Sequence, residues 1–433
     1  MSKFFIEISD DVYVNHVGLT FIAGFLNSKN FSKLIGSASK IKKQSGVITD
    51  YDIIKTYIAL ITLGKPDFDN VEQYRNDKFF KKVLNLKTVP SAATLRQRFE
   101  TYGEEMWSAI RQINIEFIAN FLPEQTVEIN GKPYMVLESD VTPMDNSASN
   151  KEGVAKTYKR FFGFAPMMSY SRGSGFMINN ELRPGDAHTN CEGTDKYFSE
   201  TIAMVKDITP YPWLAICDSG NDDRKLVTQF LSQGVEFIIK RNFRQESKDK
   251  YIDYAKQNGN EEIVRKGCSR YYSNWSRQAG EVAVPLTLVM TEITMDKNGQ
   301  LLLAPEYYLD AYWNSLNLDP QTVEDLYHHH GTSEQYHSEF KSDLDMERLP
   351  SGKFSSNYSV MLVGMIAFNL LRITGNALLG TKEAPGRRGS RLRLRTVIQN
   401  IMYMAGQYIE HARQNILRIY KGYRWTPAFV RII

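Results

Sequence analysis

Several things are scarce in this chain of 433 residues, and each scarcity closes off a class of protein. Cysteine occurs three times, at Cys191, Cys217 and Cys268. An odd number at no metal-ligand spacing argues against a disulfide framework and against zinc, and fits reduced structural thiols. No apolar run approaches the ~20 residues that a membrane-spanning helix requires. Glu7 and Asp10 interrupt the N-terminus too early for the apolar core of a secretion signal. The expectation is a soluble, cytoplasmic protein with no membrane partner. Charge of one sign is lacking too: a net charge of +4 is too small to argue for nucleic acid by itself, so local clusters must make that case. Internal repeats, low-complexity tracts and any helix-turn-helix pattern that can be placed are all missing.

What is there is ordinary in bulk: 42% hydrophobic and 24% charged residues, in a chain long enough for several domains and a large core. Residues 1–125 read as a helical N-terminal domain. After Pro90-Ser91, a plausible cap, apolar residues repeat in steps of three and four at Leu95, Phe99, Tyr102, Met106, Ile110, Ile113, Phe117 and Phe121, which predicts one continuous helix. Arg96, Arg98 and Arg111 on its other face, and Lys29, Lys33, Lys40, Lys42 and Lys43 upstream, fit either a solvated bundle surface or a DNA-binding domain.

From 130 to 240 the periodicity changes. Tyr134–Val141, Gly163–Tyr170 and Gly175–Leu182 read as three strands of an antiparallel meander. A helix over Glu192–Lys206, the strand Trp213–Asp218, a helix over Asp223–Leu231 and the strand Val235–Lys240 then alternate, so the sheet should turn parallel. The expected class is mixed α/β, a five-stranded sheet flanked by helices. Residues 241–318 break the alternation with the β-rich runs Ala283–Thr294 and Leu301–Trp313, joined through the hairpin signal Asn298-Gly299, and read as an insertion. Helix resumes at Asp319-Pro320, and Thr332-Ser-Glu-Gln335 has the form of a capping box. Residues 319–375, with an apolar helix over Val360–Leu371, would complete the core; 376–433 hold a basic segment and an amphipathic helix over about Val397–Tyr420.

Three acids organise the functional reading. Asp140 and Asp218 each end a predicted strand, the edge at which ligands collect on parallel sheets, and Glu334 lies in a helical stretch. Two bare carboxylates side by side repel unless a cation or a shared proton neutralises them. Hard oxygen ligands favour Mg2+ or Mn2+, and a pair of such ions can activate a water or a 3′-hydroxyl for attack on phosphorus while stabilising the leaving oxygen. A lone Asp at a strand end is more often a turn former or a cap, and Glu138, Asp145, Asp222 and Asp223 compete with these three.

Tyr327, His330, Glu334 and Lys341 are separated by two, three and six residues, which resembles the Tyr-Arg-Glu-Lys signature of bacterial insertion-sequence DDE transposases. Leu137–Thr142 and Ile216–Asn221 look like that group's first and second aspartate segments. Asp145-Asn-Ser, Lys151-Glu-Gly, Thr157-Tyr-Lys, Asp343-Leu-Asp and Leu349-Pro-Ser-Gly352 are similar to one subgroup of it. The resemblance covers roughly 85–430. It implies an RNase H-like core and cut-and-paste transposition: nicking at the terminal inverted repeats, then strand transfer into target DNA by an oligomer, expected to be a homodimer. By the same resemblance Asp140, Asp218 and Glu334 form the catalytic, metal-binding triad for two ions, Lys341 contacts phosphate near the transferred end, and Tyr327 contacts the strand being processed.

His330 stands where the group has Arg, so its phosphate contact should be weaker and pH-sensitive. Glu339 rivals Glu334, but Glu334 and Lys341 are seven apart and on one helix face. The run His328-His-His330 could instead bind a transition metal. Arg387, Arg388, Arg391, Arg393 and Arg395 read as DNA contacts, as do Lys156, Lys159 and Arg160 beside the first aspartate. The alternatives are a non-transposing nuclease on the same fold and an inactive DNA-binding descendant.

Overall fold

The computed structural model describes residues 6–40, 48–279, 282–328, 333–386, 389 and 391–433. The chain forms two compact units, one of Met1–Phe121, Met144–Val154 and His337–Ile433, the other of Leu122–Pro143 and Ala155–Tyr336.

The first unit is helical. Its centre is the helix Phe354–Leu379, against which Asp50–Thr62 and Glu104–Phe121 pack. By length and composition that helix could cross a membrane, yet 83% of its most apolar window is buried among its neighbours. It is twice the length of the Val360–Leu371 expectation because Ser356, Asn357, Ser359, Asn369 and Arg372 are buried as well, which masks the apolar period. Arg372 is 1% exposed and donates to Glu339, itself 2% exposed, while Arg391 reaches both oxygens of Glu339 at 2.7 Å.

Two expectations fail in this unit. The single helix after Ser91 is two, Ala92–Phe99 and Glu104–Phe121. The break at Thr101–Gly103 turns Tyr102 inward, where its hydroxyl donates to Asp50 at 3.0 Å. The helix expected over Val397–Tyr420 ends in a wide turn at Ile398–Met402 and gives way to a hairpin, Gly406–His411 with Gln414–Ile419, whose first strand also pairs with Val12–Val14. Ala412 and Arg413 make its turn at φ 49° and 67°, left-handed conformations usually left to Gly or Asn, so no residue announced it.

The second unit is built on a ten-stranded sheet. Its strands and helices in chain order are β1 (Lys132–Val141), β2 (Ala155–Lys156), β3 (Phe162–Phe164), β4 (Met167–Ser171), β5 (Met177–Glu181), α1 (Thr194–Ile208), β6 (Trp213–Cys217), α2 (Arg224–Gln233), β7 (Glu236–Lys240), α3 (Asp249–Asn258), β8 (Asn260–Arg265), β9 (Cys268–Ala279), β10 (Val282–Met295), β11 (Leu301–Asn314), α4 (Pro320–His328) and α5 (Ser333–Ser338). The order is β8-β9-β10-β11-β7-β6-β1-β4-β5, with Val127–Ile129 added beside β1. Within it, β5-β4-β1-β6-β7 is the mixed five-stranded core: β1, β6 and β7 run parallel, β4 is antiparallel to β1, and β5 to β4. This is the RNase H-like arrangement.

The β-rich segment is no separate body. It contributes four long strands that extend the same sheet from β7 through β11. The expected turn closes β10 onto β11, with Gly299 at φ 87° and the Asp296 carboxylate accepting from the N–H groups of Asn298 at 2.9 Å and Gln300 at 2.8 Å. The single strand expected over Gly163–Tyr170 is divided into β3 and β4 at Ala165-Pro166, since proline cannot donate to a ladder. Asp319 caps α4 by accepting from the Thr322 N–H at 3.0 Å. The capping-box Thr332 lies outside the described residues.

Replacing Arg372 by Met should destabilise the protein by about 3–5 kcal/mol in urea denaturation, because one of the two guanidinium partners of a buried carboxylate is lost. A change below about 1 kcal/mol would show that Arg391 alone satisfies Glu339.

Candidate active site

Strand register builds the site. Ser139 pairs with Cys217, and Cys217 with Ile239, across the parallel strands β1, β6 and β7. One residue further on, Asp140, Asp218 and Lys240 form a single row at the carboxyl edge. Alternation puts all three on the face that also carries Val136, Ile216 and Ile238, while Val141, Cys217 and Ile239 enter the core on the other side. Neighbouring strands stand about 4.8 Å apart, so Asp140 and Asp218 are adjacent by construction. Both are half-buried.

The competing acids are occupied elsewhere. Glu138 pairs with Arg172 in the interior. Asp222 accepts from the Trp313 indole at 2.8 Å and the Asn242 N–H at 2.9 Å. Asp223 caps α2 through the Lys225 N–H at 2.8 Å, and Asp145 closes its own turn with the Ser147 N–H at 2.9 Å. Asp218 is steadied by the Asn221 side chain at 2.8 Å. Gly220 lies against it: a Cβ there would meet the Asp218 carboxylate at 3.2 and 3.3 Å and Thr189 Oγ1 at 2.8 Å.

Three neighbours register the negative field of the pair. Burial raises the Cys217 thiol, and Asp218 and Asp140 raise it further. Tyr327 is raised by burial and by both acids. Tyr158, in the turn between β2 and β3, is pushed up to about 12 by loss of solvent around its hydroxyl and by Asp140 and Asp218. Concentrated negative charge fits a divalent cation held by these carboxylates.

Helices α4 and α5 cover the acid face. Tyr327 on α4 packs on Tyr312 at 4.9 Å, and Lys240 lies 5.7 Å from the Tyr327 ring while pairing with Asp310 at 2.8 Å. Arg172 donates to the Leu326 carbonyl at 2.8 Å and fixes the end of α4. Tyr336 seats against Tyr170 of β4, with ring centroids 5.3 Å apart, over Gly175, where a Cβ would strike its ring at 2.7 Å. Tyr170 pairs with Glu138, so it faces the same side as Asp140.

Glu334 stands exposed in the first turn of α5. Among the described residues no group of three His, Cys, Asp or Glu lies within metal-binding range, so the structure gathers Asp140 and Asp218 and leaves Glu334 outside a preformed cluster. The α-helical spacing used to align Glu334 with Lys341 stops at Ser338, since Glu339–Asp343 is π-helical. Glu339 is buried in its arginine pairs, which removes it as a rival. Lys341 pairs with Glu347 at 3.1 Å.

The arginine run is a second departure. Arg393 grips Asp343 with two bonds at 2.8 and 3.1 Å, Arg395 reaches it at 3.2 Å, and Arg391 holds Glu339. These three cations serve the fold; Arg387, Arg388 and His330 lie outside the described residues. Lys156, Lys159 and Arg160, by contrast, are exposed and make no ion pair among the described residues. Tyr158 and Lys240 were not singled out from the sequence, although the register that selects Asp218 also selects Lys240.

The mixed sheet thus has the RNase H-like arrangement, with Asp140 and Asp218 paired at the carboxyl ends of its parallel strands. The chain belongs to the transposase DDE domain group 1 family, whose model matches residues 13–433, and it is a DNA transposase. No curated protein matches it. Among solved structures it is similar to the piggyBac transposase in a cryo-EM synaptic complex with hairpin DNA, at 12% identity and a TM-score of 0.44, over 90% of this chain and 80% of that one.

Gly220→Ala should lower metal-dependent DNA cleavage roughly ten- to hundredfold by displacing the Asp218 carboxylate, with the melting temperature within about 2 °C of wild type. Undiminished cleavage would mean that Asp218 need not hold this position.

Proposed function

We propose that this transposase cuts DNA at the ends of its element and joins the freed 3′ ends to target DNA, with Asp140, Asp218 and Glu334 as its metal-binding carboxylates. The observation that carries the reading is the row Asp140–Asp218, two half-buried acids fixed side by side by parallel pairing on the face covered by α4 and α5. Glu334 is supported by its spacing from Tyr327 and by Tyr336, two residues on, which anchors the start of α5 on that face. Divalent ions bound there, Mg2+ or Mn2+ and two in number, would polarise the attacking hydroxyl and stabilise the departing oxygen.

The remaining work falls to the chain's own groups. Asn221 and Gly220 hold the Asp218 carboxylate, and Arg172 holds α4, so that Tyr327 projects beside the acids. Lys156, Lys159 and Arg160 meet phosphates of the same strand. Lys341 would leave Glu347 to contact the transferred end. Two ends must be brought together, which is why the working form is taken to be a homodimer.

Asp218→Ala should abolish Mg2+-dependent cleavage of duplexes carrying the DNA that flanks the reading frame, while gel-shift affinity for them changes less than about threefold. Cleavage at the wild-type rate would refute the assignment.

A further inference from the structure

Among the described residues, the turn between β2 and β3 carries the most solvent-exposed ring near the acid pair. Tyr158 is 64% exposed, and it sits among Lys156, Lys159 and Arg160, three exposed cations with no ion pair among the described residues. The turn is closed, not loose: Thr157 is buried, its N–H and Oγ1 both donate to the Phe161 carbonyl at 2.8 and 2.9 Å, and the Arg160 N–H returns to the Thr157 carbonyl at 2.9 Å. Arg160 adopts φ 71°, a left-handed conformation that a residue with a Cβ holds only when its surroundings enforce it.

The hairpin is also fixed to the catalytic edge. Val141 pairs with Met167 and the Thr142 N–H donates to the Pro166 carbonyl at 3.1 Å, so β3 leads directly into the strand beside Asp140. The carbonyls of Ala155 and Gly163 close on Gly185, whose segment continues to Thr189, and Thr189 stands where a Cβ on Gly220 would meet it, next to Asp218. A largely exposed aromatic ring, on a rigid turn, with the Lys159 ammonium 5.9 Å from its centre and at the rim of the acid row, has no structural duty that its burial or hydrogen bonds reveal.

We propose that Tyr158 is a stacking platform for the nucleobase beside the scissile phosphate, at the rim of the Asp140–Asp218 row, with Lys156, Lys159 and Arg160 gripping the backbone on either side. The proposal rests on the cleavage reading above and adds to it a residue that sets the position of the reacting strand through its ring, not its hydroxyl. Base–aromatic stacking tolerates any base, so Tyr158 would fix register without reading sequence.

The test uses the full-length protein in EDTA, so that no cleavage intervenes, and duplexes of the flanking DNA with 2-aminopurine at successive positions around the junction. With wild type and Tyr158→Phe, one position near the junction should show quenched emission. With Tyr158→Ala that quenching should disappear and affinity should fall roughly five- to hundredfold. Loss of quenching in Tyr158→Phe would overturn the proposal in favour of a hydroxyl contact, and unchanged quenching and affinity in Tyr158→Ala would overturn it outright. A wild-type protein that binds no flanking duplex would sink the cleavage reading and this one together, whereas intact wild-type binding with an indifferent Tyr158→Ala defeats this one alone.

Discussion

Parallel pairing of β1 with β6 is the constraint on which the rest depends. The register Ser139–Cys217 leaves no freedom in where the next two residues go, and both are aspartates. Like charges held about 5 Å apart on a half-buried face oppose folding, and the surrounding structure is arranged to hold them there. Hydrophobic residues of both faces, Val136, Leu214, Ile216 and Ile238 on one and Ala215, Cys217 and Ile239 on the other, lock the strands in a register that a one-residue slip would invert.

Much of this was legible because local rules and the fold agree here. Asp140 and Asp218 end apolar runs of strand length, strand and helix alternate after residue 190, and Asn298-Gly299 turns where such a pair should. The elements that misled did so for physical reasons. Ile409, Ile416 and Leu417 keep a period compatible with a helix, and the turn between their strands is made by Ala412 and Arg413, which carry no turn signal. Tyr102 satisfies the helical period and yet marks a break, because its hydroxyl is wanted by Asp50 across the bundle. Lys240 and Tyr158 could be recognised only once register and chain path were known.

Motifs that look functional in one dimension turn out to divide their labour. The segments around Asp145 and Lys151 meet those around Glu347 and Lys353: Asn146 donates to the Glu347 carbonyl at 2.8 Å, and Lys353 pairs with Glu152 at 2.8 Å. Both belong to the helical unit, which the chain enters after Pro143 and leaves after Val154. In the structure these transposase-like segments form a clasp within the helical unit.

Charge follows the same division. Five arginines in nine residues promised a DNA contact, but in the described part of that run each guanidinium already has a carboxylate, Glu339 or Asp343, some fifty residues earlier in the chain. A phosphate would have to displace those partners; Asp343 would lose Arg393 and Arg395 while Glu339 kept only Arg372, at a cost that counterion release offsets only in part. The three cations around Tyr158 give up no carboxylate among the described residues when a phosphate arrives. A net charge of +4 therefore understates what the molecule can offer to a nucleic acid, since what matters for binding is the charge left without a partner beside the acids.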